Sequence, residues 1–125
     1  MDNLTFCTLT IPPNNITYKK IYHRLISRFL HWLVEEKEVK TYVWKGEFGS
    51  NGRIHYHVVF PKTIDPKEIQ TEWNGIMKEE GVLEEFAKSN FHYNPTSIDV
   101  RKVKNTIVLS TWLLSGIALP KDPTI

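Results

Sequence analysis

The chain has 125 residues, with 16 Lys and Arg against 14 Asp and Glu and a hydrophobic fraction of 41%. That length supports one buried core and not two, so a single domain over residues 1–125 is expected, and the ordinary composition excludes a disordered, collagen-like or mucin-like chain. With a net charge of only +2, any affinity for a polyanion must come from where the cations sit rather than from their excess.

The lone cysteine, Cys7, excludes an internal disulfide and a cysteine-rich zinc site and suits a reducing compartment. It reads as a small core hydrophobe. No apolar run reaches the roughly 18 residues that span a bilayer, and Met1-Asp2-Asn3 lacks the basic start of a secretory signal. The expectation is a soluble, intracellular, cytoplasmic protein without a membrane partner.

Leu4 to Ile11, LTFCTLTI, alternates in β-favouring types and predicts a first strand that Pro12-Pro13 ends. Asn14-Asn15 then offers a cap to a helix over Ile16 to Glu38, whose stripe is Tyr18, Ile21, Tyr22, Leu25, Ile26, Phe29, Leu30 and Leu33. Its outer face is basic. Thr41 to Phe48 and Arg53 to Phe60 are strand-like runs joined by Gly49-Ser50-Asn51-Gly52, which predicts a β-hairpin. Asp65-Pro66 with Glu68 opens a second helix that buries Ile69, Trp73, Ile76 and Met77 and breaks at Gly81. Val82 to Asn90 allows another turn or two of helix, Ser97 to Val103 reads as a strand, and Asn105 caps an apolar helix over Thr106 to Leu119. This order implies an α+β domain, an antiparallel sheet with helices on one face.

Within Ile54-His55-Tyr56-His57, alternation puts His55, His57 and Val59 on one face of the strand and Ile54, Tyr56, Val58 and Phe60 on the other. A three-residue loop Ser50-Asn51-Gly52 pairs Gly49 with Arg53, and counting back sets Glu47 opposite His55. A two-residue turn would move Glu47 to the other face. Two neutral imidazoles and one carboxylate suit Mg²⁺ or Mn²⁺, with coordination positions left for water or a phosphate oxygen. The plainer alternative is two polar residues on a solvated strand face. His23, His31 and His92 lack such company and read as surface or packing residues.

Residues 41–60, with GEFG, GR and HYH in order, resemble the second motif of the HUH endonucleases, a superfamily of replication initiators, relaxases and transposases. Leu4 to Pro13 is similar to the first motif of the replication-initiator branch, and Ser97 to Val103 followed by Lys104-Asn105 and a helix is similar to the approach to the third. The resemblance runs over nearly the whole chain and is nearest to initiators of small phages, viruses and plasmids. It implies a ferredoxin-like sheet, binding of single-stranded or hairpin DNA, and a metal that polarises the scissile phosphate. It leaves room for a homodimer.

Those enzymes attack with a tyrosine on the third-motif helix, whereas here that helix carries Trp112 and Leu113, and no tyrosine follows Tyr93. Three explanations stand: another tyrosine serves, Tyr93 ahead of Tyr18 or Tyr22; water does the work beside the metal; or the protein binds DNA without cutting it. Ser110, Thr111 and Ser115 read as packing or capping residues. For phosphate contacts the candidates are Lys45, Arg53, Arg101, Lys102, Lys104 and Lys121. Trp44 falls opposite Glu47 and reads as core, while Trp32, Phe48 and Phe91 suit either stacking on bases or packing.

Overall fold

A computed structural model describes residues 4–49 and 53–103. The elements run β1 (Thr5–Thr10), α1 (Lys20–Glu35), β2 (Val43–Phe48), β3 (Ile54–Phe60), α2 (Pro66–Glu79), α3 (Glu84–Asn90) and β4 (Ile98–Lys102). The strands form one sheet in the order β2-β3-β1-β4 with every neighbouring pair antiparallel. This is an α+β fold with the element and strand order of the ferredoxin-like arrangement. The expected helix over 106–119 lies outside the described residues.

The sheet is two-faced because its strands alternate. Cys7 and Leu9 of β1 and Tyr56, Val58 and Phe60 of β3 are buried in one cluster with Leu25, Phe29 and Leu33 of α1 and Ile69, Trp73, Ile76 and Met77 of α2. The helices therefore cover that face. The opposite face has a smaller apolar patch of Phe6 and Val59, against which Leu4 and Val103 pack.

Helix α1 starts four residues later than expected. The Asn14 side chain is used in a tight turn instead, accepting from the Ile16 amide at 3.0 Å and donating to the Pro12 carbonyl at 3.1 Å, so it cannot cap the helix. Tyr18 thus precedes the helix and is 53% exposed, contrary to its place in the expected stripe. At the other end Glu38 takes a left-handed conformation, φ 56°, and the Val39 amide reaches back to the Leu33 carbonyl at 2.9 Å, which closes the helix. Helix α2 begins as expected: Asp65 accepts from the Lys67 amide at 2.9 Å and Pro66 occupies the first turn.

Three polar residues stitch α2 to the sheet at the end where β1 stops and β4 starts. Buried Asn74 donates to the Pro95 carbonyl at 3.0 Å and accepts from the Ser97 hydroxyl at 2.6 Å. The Ser97 carbonyl in turn accepts from the Thr10 amide at 2.8 Å, while Trp73 Nε1 donates to the Thr10 carbonyl at 2.9 Å. Buried polar atoms without such partners would cost about 1–3 kcal/mol each, on the order of what a helix cap contributes.

Candidate metal centre on the open face

Strand pairing sorts the open face into rows. Glu47, His55 and Thr10 lie side by side; the next row is Lys45, His57, Thr8 and Asp99; the third is Val43, Val59, Phe6 and Arg101. The hairpin register is the one counted from the loop: the Gly49 amide donates to the Arg53 carbonyl at 2.7 Å, and Glu47 stands directly opposite His55. Both histidines and the glutamate share one face.

His57 is 4% exposed, with Nδ1 3.0 Å from the Thr8 hydroxyl and its ring 5.5 Å from that of Phe6. Burial, reinforced by His55 and Lys45, lowers its pKa from 6.5 to about 4. It is therefore neutral at pH 7, the state that ligates a metal. When the Nδ1 proton is donated to Thr8, the lone pair sits on Nε2, and Thr8 becomes the outer partner that fixes the ring. Among the described residues, however, no three His, Cys, Asp or Glu side chains converge as a ready ligand group. The donor chemistry and the shared face fit a divalent ion, while a closed three-ligand cage is not formed.

The lowered pKa has a testable consequence for the metal-free chain. As pH falls, the unfolded chain takes up this proton near 6.5 while the folded chain resists it until about 4. Stability is thus intact above the higher value and is lost between the two, by roughly 1 kcal/mol per pH unit. Urea midpoints measured in chelator from about pH 7 to pH 5 are expected to fall less steeply in His57→Gln than in the wild type; parallel slopes would refute the assignment.

The other candidates divide. Lys45 is in the His57 row, and Arg101 lies on the same face one row further, held to Asp99 by an Nε–Oδ2 contact of 3.1 Å. Arg53 sits at the mouth of the hairpin. Lys102 pairs with Thr5, which stands opposite Phe60, and so belongs to the helix-covered side of the sheet, away from the histidines. Lys104 and Lys121 lie outside the described residues. Asp99 shares the His57 row and escaped the sequence reading, although alternation through 97–103 would have put it on the face of Arg101.

Tyr93 is not brought to this face. It packs against the helix-side core, donates to Glu84 at 3.3 Å and lies under Lys78 Nζ at 4.8 Å from its ring centre. Tyr93→Phe is accordingly expected to change stability by no more than about 1 kcal/mol and to leave any DNA cleavage unaltered; abolished cleavage in a labelled-oligonucleotide assay would contradict this. Trp44 also departs from expectation. It faces the helix side but, on the outermost strand, stays 39% exposed. Cys7 is fully buried, its thiol pushed up to about 12 by desolvation and by Asp99, and is no nucleophile.

Residues 4–107 match the family model of the ORF2-type replication-associated proteins. The chain belongs to that family. This replication-associated protein matches no curated protein. Among solved structures it is similar to a dimeric ferredoxin-like protein of unknown function from Thermobifida fusca, at 9% identity and TM-score 0.41, covering 78% of this chain and 86% of that one. It is also similar to hypothetical protein ORF119 of Sulfolobus islandicus rod-shaped virus 1, at 13% identity and TM-score 0.43, covering 94% and 87%. No helix among the described residues of the replication-associated protein is long and apolar enough to cross a membrane.

Proposed function

We propose that this replication-associated protein binds single-stranded DNA on the open face of its sheet and cuts it with a divalent metal, Mg²⁺ or Mn²⁺, held by His55, His57 and Glu47. The observation that supports the reading is the register that sets Glu47 opposite His55 on the face carrying neutral His57. A bound ion would supply Lewis-acid polarisation of a phosphate oxygen. The chain's own part is to fix the imidazoles, through Thr8 for His57, and to offer Lys45, Arg53 and Arg101 to the DNA backbone. Thr10 beside His55 is anchored by Ser97 and Trp73, which keeps this end of the sheet rigid.

A second reading, a DNA-binding relative that does not cut, is favoured by one specific fact: Tyr93 lies on the helix side, and no tyrosine follows it. Labelled oligonucleotides with Mn²⁺ separate the outcomes. Free cut ends support attack by water. A denaturation-stable protein–DNA adduct requires a side-chain nucleophile. Binding without cleavage supports the second reading, and no binding of single-stranded DNA at all sinks both.

A further inference from the structure

Strand β2 is an outer strand of the sheet, and its side chains are unusually apolar for that position. Val43 is 49% exposed, Trp44 39% and Phe48 72%, with exposed Tyr42 just before them. Natural proteins guard such edges, because a row of backbone donors and acceptors is a template for another strand. The opposite edge, β4, is guarded by Asp99, Arg101 and Lys102.

The backbone of β2 says which groups face outward. The Gly49 amide donates to the Arg53 carbonyl at 2.7 Å, and in an antiparallel ladder hydrogen-bonded pairs recur at every second residue. The backbone groups of Glu47, Lys45 and Val43 therefore point to β3. Those of Trp44, Gly46 and Phe48 point to the outer edge.

The sequence along that edge, Trp44-Lys45-Gly46-Glu47-Phe48, is self-complementary on reversal. We propose that two copies of the chain pair their β2 strands antiparallel about a two-fold axis at Gly46, joining two four-stranded sheets into one continuous sheet. In that register Gly46 bonds to the partner's Gly46, and Trp44 bonds to the partner's Phe48, each using the outward-facing backbone groups. Lys45 stands opposite the partner's Glu47, and Glu47 opposite the partner's Lys45, with Cβ atoms roughly 4.5–5.5 Å apart.

Other registers are worse. An axis at Lys45 or at Glu47 sets that charge against itself. An axis between two residues sets outward-facing backbone groups against inward-facing ones. An axis at Trp44 or at Phe48 leaves the lysine and the glutamate without opposite charges. The axis at Gly46 alone matches backbone, charge and aromatic residues together. Gly46 also suits the centre, because a Cβ there would press to 3.3 Å on Ile54 Cδ1. Residues opposite one another in a ladder share a face, so the pairing puts the His55 and His57 rows of both copies on the same side of the joined sheet.

The interface has an isologous signature that mixing experiments read directly. Sedimentation equilibrium of the full chain, in chelator so that metal plays no part, is expected to show a dimer. Lys45→Glu and Glu47→Lys should each weaken it by roughly tenfold or more, since each creates two like-charge contacts. An equimolar mixture of the two variants should recover wild-type affinity, because both contacts become attractive again in the mixed dimer. Phe48→Ser, at an exposed position with little to lose in folding, should weaken the dimer as well. A monomer at every concentration, single variants that dimerise as well as the wild type, or a mixture no tighter than its components would each overturn the proposal.

Discussion

Calorimetric titration of Mn²⁺ is expected to show measurable binding to the wild type and a loss of more than roughly hundredfold in His55→Ala and in His57→Ala. Each substitution removes one of two imidazoles on a face where no third nitrogen donor of that kind stands in the adjacent rows. Thr8→Val provides the graded control. It keeps the side-chain shape and deletes the hydroxyl 3.0 Å from His57 Nδ1, so it should cost about 10–100-fold, the range for loss of an outer partner. Glu47→Gln should fall between the two, because an amide oxygen ligates more weakly than a carboxylate. His57 is nearly inaccessible, so its variant must first be shown folded by circular dichroism. His55 is only half-buried and carries no such complication. Unchanged affinity in both histidine variants would remove the metal centre from the proposal and leave DNA binding to stand alone.

The largest effect on stability is expected from Trp73→Ala, a loss of about 3–5 kcal/mol in urea unfolding. The ring is fully buried and meets Phe29 and Tyr56 edge to face, with centroids 5.9 and 6.0 Å away. It also donates Nε1 to the Thr10 carbonyl at 2.9 Å. Trp73→Phe keeps most of the packing and deletes that bond, so it should cost about 1–3 kcal/mol. Thr10 is the β1 neighbour of His55. The same substitution is therefore expected to raise backbone amide exchange at Thr10 and His55 even where the fold persists. A loss below about 1 kcal/mol for Trp73→Ala would mean that the α2–sheet contact is not the centre of the core.

Much of this was legible in the chain. The hairpin and its register followed from the loop Gly49 to Gly52, because turn geometry fixes which residues face each other. Asp65-Pro66 marked the start of α2, and Ile69, Trp73, Ile76 and Met77 are all buried, since a helical period is local and survives in one dimension. The replication-associated character was readable from residues 41–60, and the family model matched over residues 4–107 agrees with it. The start of α1 was misplaced for a local reason: Asn14 had two uses for its side chain, and the tight turn won.

What only the tertiary structure decided is non-local. Strand order made β1 and β3 central and β2 and β4 the edges. That left Trp44 and Phe48 exposed although alternation alone would bury Trp44, and it placed Lys102 on the helix-covered side. Docking of the 91–96 loop on α2 and α3 took Tyr93 away from the histidines. Burial among strands distant in sequence made His57 a neutral imidazole. By itself the sequence determined element types, the hairpin register and the pair of histidines on one face, because periodicity and turn chemistry act within a few residues. Which faces are covered, which edges are bare and what charge a buried ring keeps depend on pairings between residues far apart in the chain, such as Thr8 with His57, and these exist only once the chain has closed on itself.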